Sequence, residues 1–115
     1  METFVKYIDE KVVQFQSEEQ NLIASDRKDE ANFIRIRMNI CDVCKTIYNV
    51  WVKRLAGDEL KEEYIRQLTR LAETWKISYD KAKEHNDIQK LVIEEAKLDV
   101  LKEIKEKFLE LEGCE

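Results

Sequence analysis

No proline occurs in the 115-residue chain, and its only glycines are Gly57 and Gly113. Hairpin turns between strands need φ-fixed or left-handed residues, so a chain without them runs in long uninterrupted segments, which favours helices. Apolar residues make up 43% of the chain and charged residues 39%, enough of the former to form a core and to exclude disorder of the low-hydrophobicity kind. The length suits a single helical-bundle domain over 1–115.

The clearest periodicity lies in residues 29–56. Asn32, Arg35, Asn39, Asp42, Thr46, Asn49 and Lys53 recur at spacings of 3 and 4, one narrow polar stripe on a helix that is otherwise mostly apolar. Ile34, Ile36 and Met38 also alternate with period two, but no partner strand or tight turn accompanies them. Residues 2–24 place Phe4, Val5, Ile8, Val12, Phe15, Leu22 and Ile23 in one core-facing sector. Ser25 or Asp26 is the expected N-cap of the next helix. Gly57 is read as the stop after the second helix, with Asp58 capping the third. Leu60, Tyr64, Leu68, Leu71, Trp75, Ser78 and Ala82 then form a coiled-coil-like seam, and His85-Asn86-Asp87 reads as a third joint, with Asn86 left-handed and Asp87 the cap.

These segments predict an all-α fold, an antiparallel up-down-up-down four-helix bundle. The alternative is a helical hairpin plus one long helix over 59–112, dimeric, because one apolar stripe of the last segment continues the preceding seam. No repeat between the helices is evident. Residues 1–26 carry a net charge of −4 and residues 27–54 a net +4, so the first two helices complement each other. Trp51 and Trp75 are both expected in the core.

Several function classes are disfavoured. The first ten residues lack the apolar core of a signal peptide, and no apolar run approaches a bilayer span, so a cytoplasmic protein with no membrane partner is expected. A net charge of −5 and aromatics segregated from the polar stripe argue against nucleic acid. Cys41-Asp-Val-Cys44 lies inside a helix rather than at its N-terminus, where a thiol would be activated. With Cys114 and His85 the two thiols make up the only soft ligand set, too scattered for one bundle to gather, so neither a metal nor a cofactor is expected. No phosphate loop, nucleophile elbow or paired Glu-x-x-His motif occurs, and no enzyme is expected.

Two charges stand out. Glu19 sits centrally in the apolar sector of the first helix, and Arg37 lies in the apolar arc of the second, beside Cys41 and Cys44 in projection. If the two helices fold back on each other, Glu19 and Arg37 can form a buried pair, and the four residues together are the candidate pocket or buried polar site. The second helix is apolar over more than the roughly 100° stripe a bundle helix must bury. Central placement, a second copy of the chain or another, unidentified protein could cover the excess. The expectation is a non-enzymatic interaction or regulatory module acting as a homodimer. The alternative is a small-molecule or thiol-based sensor with its pocket near Arg37, Cys41 and Cys44.

Overall fold

The computed structural model describes the backbone of residues 2–112 and the side chains of 3–112. Among these residues it has four helices and no strand: α1 (Glu2–Ala24), α2 (Lys28–Val52), α3 (Gly57–Glu84) and α4 (Ile88–Leu111). They form an antiparallel four-helix bundle. The chain breaks at 85–87, so the single long helix over 59–112 does not form. None of the helices is long and apolar enough to cross a membrane.

Two of the three joints use the same device. After α1, Asp26 adopts a left-handed conformation (φ 58°), its N–H donates to the Ile23 carbonyl at 3.0 Å, and the Arg27 N–H donates to the Leu22 carbonyl at 2.8 Å. After α3, Asn86 (φ 55°), Lys83, Asp87 and Ala82 repeat the pattern, with hydrogen bonds of 3.2 and 2.8 Å. Both are Schellman turns, which satisfy carbonyls that the helix end would leave bare. Asn86 and Asp87 therefore act as expected, and the Asp87 carboxylate caps α4 by accepting from the Lys90 N–H at 3.1 Å. The first joint differs from expectation. Asp26 is spent on ending α1, and Arg27 takes the N-cap position of α2 without a side-chain cap. The middle joint also moves. α2 ends at Val52, the N–H groups of Arg54 and Leu55 turn back to the Trp51 carbonyl, and Gly57 (φ 59°) begins α3 instead of ending α2.

The two hairpins, α1–α2 and α3–α4, correspond at a shift of 60 residues. Their turns match (Asp26 and Asn86), as do the starts of α2 and α4 (Lys28 and Ile88) and the core positions. Phe4, Ile8, Ile40, Cys41, Cys44 and Tyr48 are buried in the first hairpin, and Tyr64, Leu68, Val100, Leu101, Ile104 and Phe108 are buried at the same places in the second. Even an outer contact recurs: Lys45 reaches Asp9 at 2.6 Å, and Lys105 reaches Thr69 at 3.1 Å. Contacts between hairpins are reciprocal, α1 with α4 and α3 with α2, which is the arrangement of two units about an approximate two-fold axis. Across residues 2–52 and 62–112 only Glu2/Glu62 and Lys45/Lys105 are identical, so the repeat lies in burial pattern rather than in residue identity.

At this axis four rings meet. Phe4, Tyr48, Tyr64 and Phe108 contact one another in every combination, all edge-to-face, with centroids 4.8–6.3 Å apart. Such pairs stabilise by about 0.5–1.5 kcal/mol each beyond the area they bury. The fully buried members of the shared core all come from residues 4–8, 40–48, 60–68 and 100–108, the open ends of the two hairpins. Central helices α2 and α4 touch each other, while α1 and α3 flank them. Central placement thus covers much of the wide apolar arc of α2. Trp51 and Trp75 are half-buried at the margin instead of lying in the core. Lys97 stands 4.8 Å over the Trp75 ring, a cation–π contact that suits an aromatic with one wet side.

Candidate functional site

The polar residues singled out in the sequence are distributed, not gathered. Glu19 is buried, 8% exposed, yet its carboxylate accepts from the Arg35 guanidinium at 2.8 Å rather than from Arg37. Arg35 belongs to the polar stripe, and its side chain stays 63% exposed while reaching over the α1–α2 seam. A long arginine can cross an apolar margin in this way, which the projection of its α-carbon does not reveal. Arg37 is half-buried and has neither an ion pair nor a hydrogen bond among the described residues. Glu19 and Arg35, with Ile23, Lys28, Ala31 and Asn32, line a depression of about 400 Å³ beside the first turn.

Cys41 and Cys44 are fully buried free thiols at the positions of Leu101 and Ile104 in the other hairpin. Burial pushes Cys41 up from an ordinary 9.0 to about 11, and Cys44 up to about 12. Desolvation of the thiolate is the leading cause in both. These are small apolar core residues in their physical behaviour. Among the described residues, no cluster of three or more His, Cys, Asp or Glu could hold a metal ion. Cys114 lies outside the described residues.

A larger concavity lies elsewhere. An open groove of about 820 Å³ runs along the outer side of the first hairpin, with Val5, Lys6, Asp9, Glu10, Val13 and Gln14 from α1 and Tyr48, Asn49 and Val52 from α2. Val13 is 61% exposed and Val52 40%. Asp9 is engaged by Lys45, whereas Lys6 and Glu10, one helical turn apart, have no ion partner among the described residues. Tyr48 brings a buried hydroxyl that lacks a hydrogen-bond partner among the described residues. A smaller groove of about 550 Å³ on the second hairpin includes Thr69, Glu73, Lys76, Ile77 and Lys105.

The correspondence of the hairpins shows which surface residues the fold itself requires. Large apolar residues exposed on the first hairpin are Val13, Ile23, Val43, Val50 and Val52, and the second hairpin carries Glu73, Lys83, Glu103, Glu110 and Glu112 at those positions. Those exposed on the second are Ile77, Ile88 and Val92, matched in the first by Ser17, Lys28 and Asn32. In every pair the same backbone position accepts a polar side chain. These residues were not nominated by helical periodicity, which sees only one helix at a time. Superposing the halves at a shift of 60 is the signal that finds them.

Comparisons with protein-family models, with curated proteins and with solved structures find no match for this chain.

Proposed function

We propose that the protein is a non-enzymatic helical interaction module that acts as a homodimer. One observation carries the reading: exposed aliphatic residues occupy positions where the equivalent hairpin uses a charge, an amide or a hydroxyl. A surface valine that the fold can replace by glutamate is not there to stabilise the monomer, and clustered exposed apolar side chains mark interaction surfaces. Val13 and Val52 share one groove, while Ile88 and Val92 sit one turn apart on α4. The buried thiols, shifted away from ionisation, give no support to a redox-sensing role. Two unpaired thiols also suit the reducing cytoplasm, where we place the protein.

Light scattering of the full chain over a concentration series tests the reading. A mass approaching twice 13.8 kDa at micromolar protein is expected. A constant monomer mass up to several hundred micromolar would remove the homodimer.

A further inference from the structure

We infer that the outer α1–α2 groove is a two-fold contact between copies, in which Lys6 of one copy faces Glu10 of the other and Val13 of one seats against Val52 of the other. The inference rests on the self-association proposed above and names its surface.

Charge is the first argument. Lys6 and Glu10 both line the groove, are exposed, and have no ion partner among the described residues. In a two-fold contact each surface must complement itself, and a cation and an anion one turn apart do so when two α1 helices meet antiparallel. The second hairpin has Arg66 and Arg70 at these positions, which would repel in the same arrangement. Only the first hairpin is self-complementary there.

Register is the second. The Phe4–Tyr48 ring contact and the Asp9–Lys45 ion pair set α1 against α2, and they place Val52 level with the first turn of α1. Antiparallel packing of two α1 helices about the level of Ile8 sets Lys6 opposite Glu10. The same packing brings Val13 level with the first turn of the other copy, and hence with its Val52. Val13 and Val52 are Glu73 and Glu112 in the second hairpin, so the apolar character of this groove is particular to one side of the molecule. The ionic pairs then lie nearest the two-fold axis, and a Val13–Val52 apolar contact closes the groove on either side of them.

The dissociation constant of the full-length chain, measured by sedimentation equilibrium, tests the assignment. Val13→Glu with Val52→Glu installs the residues that the equivalent hairpin already carries, and it is expected to weaken the dimer roughly 100-fold by burying carboxylates without partners. Lys6→Glu is expected to weaken it roughly tenfold, and Lys6→Glu with Glu10→Lys to restore it, because the swap regenerates both contacts. Val43→Glu with Val50→Glu, and Ile88→Lys with Val92→Asn, are expected to leave the constant unchanged. Dissociation by either of these pairs, with the Val13/Val52 variant still dimeric, would move the contact and overturn the groove while leaving self-association intact. Failure of the charge swap to recover what Lys6→Glu loses would overturn the two-fold pairing. A wild-type chain that stays monomeric would overturn both this inference and the homodimer itself. Circular dichroism of each variant separates loss of contact from loss of fold.

Discussion

Replacing Tyr48 and Tyr64 separately by phenylalanine should change stability in opposite directions. Both rings belong to the four-aromatic centre, and both hydroxyls are buried. The Tyr64 hydroxyl donates to the Cys44 carbonyl at 2.8 Å, whereas the Tyr48 hydroxyl has no partner among the described residues. Their equivalents, Phe4 and Phe108, fill the same places with no hydroxyl at all, so the ring suffices for packing. Tyr64→Phe removes a made hydrogen bond, a loss of about 0.5–1.5 kcal/mol. The carbonyl it frees can keep its helical partner, which holds the cost to that range. Tyr48→Phe removes a desolvated hydroxyl that gains nothing in return, and the relief is about 1–3 kcal/mol. The two variants should thus differ by about 1.5–4.5 kcal/mol, Tyr48→Phe above wild type and Tyr64→Phe below it. Urea unfolding at neutral pH, followed by circular dichroism, resolves this as midpoints moved to opposite sides of wild type at an unchanged slope. A Tyr48→Phe variant destabilised as much as Tyr64→Phe would show that the Tyr48 hydroxyl is satisfied, and would refute the reasoning.

Other outcomes follow from the remaining contacts. In a double-mutant cycle Glu19 should couple to Arg35 by about 1 kcal/mol, reduced from a fully buried pair because the arginine is mostly in water, and to Arg37 by nothing measurable. Phe108→Ala should cost about 3–5 kcal/mol as a central core deletion, and Trp75→Ala, half-buried at the margin, clearly less in the same melt. Stability should also decline in alkali. Well below pH 9.0 the thiols are protonated in folded and unfolded chains alike. Above it the unfolded thiols ionise while the folded ones resist until about 11 for Cys41 and about 12 for Cys44. Each thiol therefore removes up to about 1.4 kcal/mol per pH unit inside its window. Unfolding free energies at pH 8, 9 and 10 check this, and a rise from pH 9 to 10 would contradict the burial of both thiols.

Helix number, direction and approximate length were legible because each helix carries its own evidence. The polar stripe from Asn32 to Lys53 and the seam from Leu60 to Ala82 are local patterns, and the Asn86-Asp87 turn works through residues adjacent in sequence. Joints depending on a choice between equally suitable residues were less legible. Asp26 can cap a following helix or adopt the left-handed conformation that ends the preceding one, and the Schellman hydrogen bonds to Leu22 and Ile23 decide for the second. Gly57 is likewise able to stop a helix or start one. Leu55 packs against the core from the connecting segment, which ties down the chain between Val52 and Gly57.

The candidate site was less legible for a different reason. Helical projection ranks a residue by the direction of its α-carbon, and that suffices for Cys41 and Cys44, whose short side chains end where they begin. It fails for arginine. Arg35 starts on the polar stripe and ends on a buried carboxylate, while Arg37 starts on the apolar arc and meets no carboxylate among the described residues. Exposed valines fail projection in a further way, since a single helix gives no standard for how polar a given surface position ought to be. The second hairpin supplies that standard from within the same chain. It holds the same turn and the same core with glutamate at 73, 103, 110 and 112. Positions 13, 43, 50 and 52 are therefore free, as far as folding is concerned, to be charged, and packing within the monomer does not account for their being valine.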